Sequence, residues 1–300
     1  MIASQQRRYR ATLIGGVAIL LWSTLAILTT MTEGIPPFQL LALTFLVAFC
    51  VSTLLLLYRG ETIFRRGKPN LPVWIVSVGG LFGYHFFYFV ALRNAPAVEA
   101  NLINYLWPLL IVLFSSLLPG ERLRWFHTTG ALMGLFGAFL LVAMKGSISF
   151  QSAALGGYLA AVAAALIWSS YSVINRRFDH IPTAAVSGFC GMTSLLAFVC
   201  HFFMESWVTP DGIQILFVIG MGLGPLGLAF FVWDYGTKHG DLQLIGVLSY
   251  SAPLLSTLLL ILFGKAEASL LVLISCLLII GGALLASKDK LKRTGKRNTN

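Results

Sequence analysis

Charged residues are scarce in this chain of 300 residues: Asp, Glu, Lys and Arg together make up 11%, and only 11 residues are acidic. A soluble globular domain carries roughly a quarter of its residues as charged groups. Residues with apolar side chains make up 57% of the sequence. A single soluble core cannot bury so much apolar surface, so the composition excludes an ordinary soluble protein and predicts that lipid surrounds the chain.

The chain also lacks the residue groups of an enzyme or a metal site. Its four cysteines, Cys50, Cys190, Cys200 and Cys276, all fall inside apolar runs, and no CxxC pair or Cys/His cluster is present. No HExxH sequence, nucleophile elbow or pair of intramembrane carboxylates occurs either. Clustered glycines near 79–83 are better explained by close helix packing than by nucleotide binding. We therefore expect no enzymatic activity, no metal and no cofactor.

Ten apolar runs are long enough to cross a membrane as helices, since about 20 residues at 1.5 Å per residue cover the hydrocarbon core. They lie near residues 11–30, 38–58, 72–92, 98–117, 124–144, 154–174, 183–203, 211–233, 242–262 and 267–286. Turn-forming Gly, Pro and Asn residues separate them.

The basic residues indicate how these spans are oriented. If the N-terminus is cytoplasmic, 18 of the 21 Lys and Arg residues fall on the cytoplasmic side, including Lys238 in a loop, and only Arg93, Lys145 and Lys265 fall outside. Such a bias is typical of cytoplasmic segments. It predicts an even number of spans with both termini in the cytoplasm. It also explains the net charge of +10 by topology, without a nucleic-acid partner.

The spans form two copies of one pattern. Pro108 and Pro253 lie near the middle of apolar runs, 145 positions apart, and Gly137 and Gly282 share that offset. Each copy has five spans, an odd number, so the second copy enters the membrane from the other side. This predicts an all-α integral membrane protein with ten transmembrane helices, as two inverted five-helix repeats around a central cavity. The predicted units are a basic N-terminal tail at 1–10, repeats at 11–144 and 153–286, and a basic C-terminal tail at 287–300.

Polar and aromatic residues near the two prolines predict the wall of that cavity. A proline inside a helix frees a carbonyl, which a membrane tolerates only where protein or water satisfies it. The polar residues before Pro108 match small and polar residues before Pro253 at the repeat offset. Alternatively, these groups only bond neighbouring helices, and His85 is a neutral histidine held between helices. The predicted substrate-binding residues are Trp22, Tyr84, His85, Tyr88, Asn101, Tyr105, Trp107, Trp168, Tyr171, Ser249 and Tyr250, with Pro108 and Pro253 as helix kinks and gating positions.

Several short motifs occur in an order that resembles a known family. LWS at 21–23 matches IWSS at 167–170, and YLWPLL at 105–110 matches YSAPLL at 250–255. The stretch LLPGERLRWFHTTGALMGLFG at 117–137 places a Gly-Glu turn before a glycine-rich helix. As an ordered set, these motifs resemble the drug/metabolite transporter superfamily in its ten-helix form with two EamA-type repeats.

Within that superfamily, the aromatic-rich segments GYHFFYFVALRNAP at 83–96 and NLINYLWPLL at 101–110 look most similar to the bacterial aromatic amino-acid exporters. The resemblance implies export of phenylalanine, tyrosine, tryptophan and related compounds across the bacterial inner membrane. The second Gly-Glu turn departs from the pattern, reading FGKAEAS at 263–269. The first span contains no carboxylate, unlike that of the four-helix multidrug members, which argues against a cationic-drug exporter of that kind.

Aromatic rings offer stacking surface to an aromatic side chain, and Asn101 and Tyr105 could bond the ammonium and carboxylate of an amino acid. We expect a monomer, since ten helices can enclose a complete cavity. Two alternatives remain. The chain could carry another metabolite or drug in the same fold, or it could be a membrane enzyme or assembly subunit, of which the enzyme is disfavoured by the missing catalytic residues.

Overall fold

The computed structural model describes residues 2–61, 68–144, 146, 148–264, 267 and 269–288. All regular secondary structure in these residues is helical, in ten segments numbered α1 to α10. The first five are α1, Ile2–Ser23 with Leu25–Thr30; α2, Pro37–Tyr58; α3, Leu71–Val78, Gly79–Gly83 and Tyr84–Asn94; α4, Ala97–Asn104 with Trp107–Ser115; and α5, Trp125–Ala143. The second five are α6, Leu155–Ile174; α7, Val186–Met204; α8, Gly212–Leu223, Gly224–Leu228 and Ala229–His239; α9, Leu242–Leu248 with Ser251–Leu262; and α10, Leu270–Ala286.

These segments confirm the prediction of an all-helical membrane protein. Nine of the ten described segments are long and apolar enough to cross a bilayer. The tenth, α10, has 17 residues, which is about 25 Å of helix at 1.5 Å per residue. Helix α1 begins at Ile2 rather than near residue 11, because Arg and Gln lower the hydropathy but are good helix formers. The basic residues that fall outside the described part of the chain are Arg65, Arg66, Lys145, Lys265, Lys290, Lys292, Arg293, Lys296 and Arg297.

The pairing of the helices has a two-fold pseudosymmetry. Extensive contacts join α1 to α8, α3 to α6, α2 to α7, α4 to α9 and α5 to α10. Each helix of the first half corresponds to the helix five places later in the second half. When corresponding helices are exchanged, the pair α1–α8 becomes α6–α3, and the set of pairs as a whole is unchanged. Such symmetry is expected of two structural repeats that pack face to face.

Glycines allow the closest of these approaches. A Cβ on Gly15 of α1 would lie 2.9 Å from the Cα of Gly236 in α8. A Cβ on Gly130 of α5 would lie 2.5 Å from the carbonyl oxygen of Gly282 in α10. Small residues at such crossings let helix backbones approach closely in a membrane, where van der Waals packing holds helices together.

One face of the bundle, termed the terminal face, gathers charged residues from both halves. Arg8 near the start of α1 binds Glu121 after α4, with 2.7 Å between Nη2 and Oε1. Arg176 after α6 lies 3.9 Å from the same oxygen, and Arg8 lies 3.9 Å from Asp241 before α9. Helix α1 therefore begins at this face, whereas its counterpart α6 ends there.

The other end of the bundle, termed the distal face, carries a second polar cluster. The Glu205 carboxylate after α7 accepts the backbone N–H groups of Phe38 and Gln39 at the start of α2, each at 3.1 Å. It also binds Arg93 at the end of α3, at 2.5 Å. Helix α2 thus begins where its counterpart α7 ends, so equivalent helices of the two halves run in opposite directions.

Two matched interruptions occur in α3 and α8. Each contains a π-helical turn, Gly79–Gly83 in α3 and Gly224–Leu228 in α8, at the same offset of 145 that relates the two prolines. A π-turn leaves local carbonyls poorly paired, and such turns are frequent at functional sites. In α8 one such carbonyl, that of Pro225, accepts the Trp22 indole N–H at 3.1 Å.

Helices α4 and α9 break just before their prolines. The α-helical path stops at Asn104 and resumes at Trp107 in α4, and it stops at Leu248 and resumes at Ser251 in α9. A proline cannot donate to the carbonyl four residues earlier, which explains the position of both breaks. The Leu109 N–H, near the start of the second part of α4, donates to the hydroxyl of Tyr250 at 3.1 Å.

Candidate functional site

A cavity of about 730 Å³ lies in the half of the bundle nearest the distal face. Its lining residues come from α1 to α6, α8 and α9, and its rim includes Thr32, Glu33 and Gly34 of the loop between α1 and α2. Glu33 and Gly34 are exposed, so the cavity reaches solvent on this side. Its volume falls within the range of roughly 300–1,000 Å³ that is usual for small-molecule sites.

Three tryptophans from different helices form the floor of the cavity. Trp22 of α1 lies 5.6 Å from Trp168 of α6 and 6.3 Å from Trp107 of α4, measured between ring centroids and with edge-to-face geometry. Trp233 packs below them, 5.0 Å from Trp22. Phe230 of α8 adds another ring, 6.0 Å from Trp168. The floor therefore presents aromatic surface from both halves of the protein.

One wall of the cavity is a ladder of tyrosines and asparagines between α3 and α4. Tyr84 and Tyr88 stack with ring centroids 5.8 Å apart and ring planes 5° from parallel. The Tyr88 hydroxyl donates to Asn101 Oδ1 at 2.7 Å. One rung lower, Asn104 Nδ2 donates to the Tyr84 hydroxyl at 3.2 Å. The aromatic rings of α3 thus lead from the rim to the floor, since Tyr84 also contacts Trp168 at 5.3 Å.

His85 lies at the cavity surface and is largely buried. Its Nδ1 lies 2.6 Å from the Leu81 carbonyl oxygen, which fixes the hydrogen of a neutral ring on Nδ1. The other ring nitrogen, Nε2, is then an acceptor. The ring packs edge-on against Phe45 at 5.7 Å and against Tyr84 at 5.1 Å.

The bundle is closed between the floor and the terminal face. Here α1 and α8 meet at Gly15 and Gly236, and the ion pairs of Glu121 lie beyond them. The sequence predicts Lys238 to lie in a loop, but the residue is 3% exposed within α8. That placement was wrong because the buried Asp234 carboxylate, 2.8 Å from Lys238 Nζ, makes a charged residue tolerable inside the helix.

The cavity brings together most of the predicted site residues. Those that line it are Trp22, Tyr84, His85, Tyr88, Asn101, Tyr105, Trp107, Trp168 and Pro253. Tyr171 lies behind the floor, 5.3 Å from Trp168. Ser249 is fully buried and donates to the Ile245 carbonyl. Tyr250 is fully buried at the contact between α9 and α4, where its hydroxyl accepts the Leu109 N–H. Pro108 is buried in α4.

Phe230 and Asn104 are two of the cavity residues that are absent from the predicted set. Phe230 occupies the position in α8 that His85 occupies in α3, at the repeat offset of 145, so the repeat itself contained the signal. Asn104 lines the cavity one helical turn beyond Asn101. Its position on the polar face of α4 was visible in the sequence, but its exposure to the cavity depends on the packing of α3.

The arrangement suits a molecule with an aromatic ring and a polar end. Glu33, at the rim, carries the only formal charge among the described residues that line the cavity. Within the described part of the chain, no group of three or more His, Cys, Asp or Glu residues could hold a metal. A ligand would therefore bind through ring contacts and neutral hydrogen-bonding groups.

Comparison with known proteins gives a consistent family. The model of the EamA-like transporter family matches residues 10–143 and again 155–288. An aromatic amino acid exporter, YddG, of Ancylobacter novellus is 53% identical over 281 residues, covering 93% of this chain and 98% of that protein. The YddG exporter of Escherichia coli strain K12 is 26% identical over 300 residues, covering 93% and 97%.

One further relative and a solved structure are consistent with this family. A probable amino-acid metabolite efflux pump of Escherichia coli strain K12 is 26% identical over 256 residues, covering 80% of this chain and 79% of that protein. A crystal structure of a protein 53% identical in sequence superposes with a TM-score of 0.89, covering 93% of this chain and 99% of that one.

Proposed function

The chain belongs to the EamA-like transporter family, with two copies of the repeat, and from this premise we propose that it exports aromatic amino acids by alternating access. The observation that carries the proposal is the cavity, whose floor of Trp22, Trp107 and Trp168 can stack on an aromatic side chain. The relative that is 53% identical is named as an aromatic amino acid exporter. Phenylalanine, tyrosine and tryptophan are the proposed substrates, together with related small amphipathic metabolites.

The protein is proposed to lie in the bacterial inner membrane with its terminal face in the cytoplasm. Arg7, Arg8 and Arg10 begin α1 at that face, and Arg176 and Arg177 end α6 there. An excess of Arg and Lys marks cytoplasmic segments. In this proposed orientation the cavity would face the periplasm, which supports an outward-open state of the carrier. The carrier is proposed to act as a monomer.

Transport in this proposal requires the two repeats, 11–144 and 153–286, to rock about the floor. In the outward-open state the contacts of the terminal face close the cytoplasmic side. If the cytoplasmic side opened while the distal face closed, the floor would be exposed to the cytoplasm instead of the periplasm. The interruptions of α4 and α9 before Pro108 and Pro253 are the proposed gating points.

Substrate binding in the proposed cycle is loose. No charged group among the described lining residues lies at the level of the floor, so neutral groups such as Asn101 and the Tyr105 hydroxyl would meet the zwitterion. Neutral hydrogen bonds contribute about 0.5–1.5 kcal/mol each, less than charged ones. Weak binding suits an exporter that works at high internal substrate and must release into dilute solution.

A carrier for a different amino-acid metabolite is the second candidate. The relative named as a probable amino-acid metabolite efflux pump favours it, at 26% identity. Such a carrier would share the fold and the alternating cycle, but it would not discriminate in favour of aromatic side chains.

Counterflow in proteoliposomes separates these candidates. Vesicles preloaded with unlabelled phenylalanine should take up labelled phenylalanine in a saturable manner, and tyrosine and tryptophan should compete while threonine should not. Uptake that threonine blocks as well as tryptophan does would favour the second candidate. Absence of any uptake by folded protein would refute the aromatic assignment.

Variants of the floor make the test specific to the cavity. Trp168→Phe should raise the half-saturating phenylalanine concentration by about two- to tenfold, the worth of one aromatic contact of roughly 0.5–1.5 kcal/mol. Tyr105→Phe should weaken binding by a similar factor. The matched controls are Trp125→Phe and Tyr58→Phe, at residues 63% and 91% exposed, and they should leave the flux unchanged. Equal effects of cavity and control variants would contradict this placement of the site.

A further inference from the structure

The two asparagines of the cavity wall differ in how their carboxamides are used. Asn101 is engaged at both ends, because Oδ1 accepts the Tyr88 hydroxyl at 2.7 Å and Nδ2 donates to the Ala97 carbonyl at 2.6 Å. Asn104 is engaged at one end only, through the bond from Nδ2 to the Tyr84 hydroxyl at 3.2 Å. Asn104 Oδ1 is buried and has no hydrogen-bond partner.

An unpaired carbonyl oxygen is costly at this position. The Asn104 side chain is 4% exposed, and a buried acceptor without a donor loses its bond to water without replacement. Most buried polar atoms in native proteins have a partner, so each exception needs an explanation. Asn104 lines the cavity and its Oδ1 lies just behind the cavity surface, which points to a partner that arrives with the transported molecule and turns the carboxamide towards it.

We infer that Asn104 Oδ1 accepts a hydrogen bond from the α-ammonium group of the substrate and is a specificity-determining contact of the carrier. This inference rests on the proposed function. An ammonium group has only donors, which match a free carbonyl oxygen, whereas a carboxylate has only acceptors and would be repelled by it. A neutral carboxamide also binds an ammonium less tightly than a carboxylate would, which permits release.

The position of Asn104 fits a ligand whose ring rests on the floor. Tyr84 bonds Asn104 through its hydroxyl and contacts Trp168 through its ring, with centroids 5.3 Å apart. One tyrosine side chain, that of Tyr84, therefore links the Asn104 carboxamide to the floor. Trp107, three residues after Asn104, contributes to the floor from the same helix.

The second repeat offers no equivalent acceptor. At the repeat offset of 145, Asn104 corresponds to Ser249. Ser249 is fully buried and is not among the residues that line the cavity, and its hydroxyl donates to the Ile245 carbonyl at 2.8 Å. The ammonium contact is thus a feature of the first repeat. Because the second repeat has no equivalent contact, the substrate binds in one orientation although the cavity is pseudosymmetric.

The test compares three competitors in phenylalanine counterflow by the full chain. Phenethylamine retains the ammonium group without the carboxylate, and 3-phenylpropionate retains the carboxylate without the ammonium. Asn104→Leu should raise the half-inhibitory concentrations of phenylalanine and phenethylamine by about tenfold, the worth of one bond to a charged group. Inhibition by 3-phenylpropionate should change less than twofold. The control Asn94→Leu, at an exposed residue of α3, should change none of them.

Ratios between competitors within one variant do not depend on how much protein folds. Asn104→Asp, which keeps the shape and adds a negative charge, should strengthen phenethylamine relative to 3-phenylpropionate and so provides a second readout. Unchanged ratios in both variants, or a selective loss of 3-phenylpropionate inhibition in Asn104→Leu, would overturn the ammonium contact. If the unmodified protein shows no phenylalanine counterflow, it is the proposed function that fails.

Discussion

Tyr250 holds the broken helix α4 in place through a single hydroxyl. Its oxygen accepts the Leu109 N–H at 3.1 Å at the contact between α9 and α4, where the Tyr250 side chain is fully buried. Tyr250→Phe should lower the free energy of unfolding by about 1–3 kcal/mol, because the Leu109 N–H is left buried without an acceptor. The midpoint of thermal unfolding in detergent measures this. Tyr235→Phe, at a residue 39% exposed, is the control, and equal midpoints for the two variants would contradict a structural role for the hydroxyl.

At the residue scale, the sequence predicts the region of the cavity better than it predicts which individual residues line it. Trp22 and Trp168 were predicted from their near-equivalent positions in the two repeats, and both lie on the floor. Tyr250 was predicted from the same repeat logic but faces α4. A helical wheel shows which residues share a face, yet only the packing of α4 against α9 decides whether that face meets a cavity or another helix.

The π-turn of α3 places two adjacent glycines in opposite environments. A Cβ on Gly80 would overlap the ring of Tyr171 in α6, whereas a Cβ on Gly79 would have nothing within 4 Å. Gly80→Ala should therefore lower the free energy of unfolding by about 1–3 kcal/mol through overpacking. Gly79→Ala should be neutral or slightly stabilising, since Ala is the better helix former by roughly 1 kcal/mol. Thermal unfolding of both variants in detergent compares them. If they are equally destabilised, the effect comes from the backbone of the turn and not from the contact with α6.

At the element scale, the sequence predicts which segments are helices, but it does not predict the π-turns within them. Apolar runs of about 20 residues predict spans because the bilayer sets their length. The prolines also predicted breaks in α4 and α9, which occur just before them. The π-turns were not predicted, because they change the hydrogen-bond register without changing hydropathy. Their sequence signal was the glycine at the start of each, Gly79 and Gly224, at the repeat offset.

In this structure the cavity is open at the distal face, and contacts that cross between the repeats close the bundle at the terminal face. Thr12 of the first repeat accepts the Asp241 N–H of the second at 2.8 Å. The Gln243 side chain donates to the Arg122 carbonyl at 3.3 Å. Two longer ion pairs also cross between the halves, from Arg176 to Glu121 and from Arg8 to Asp241, each at 3.9 Å. The shorter pair of Glu121 with Arg8 stays within the first half of the chain. A state that is open at the terminal face must break these contacts, so their strength sets the balance between the two states.

Glu121 is the residue of this seam whose charge can be removed with least change of shape. Its side chain is 15% exposed, so Glu121→Gln should weaken the state that is closed at the terminal face by up to about 1 kcal/mol, the upper range for accessible ion pairs, or about fivefold in population. Spin labels at the exposed positions 122 and 177, in a variant without the native cysteines, would report the distance between the repeats. Glu121→Gln should increase the longer-distance population, and Asp179→Asn, on the same face but 63% exposed, should not. An unchanged distribution in Glu121→Gln would mean that the other contacts of the terminal face, rather than the ion pairs of Glu121, keep that side closed.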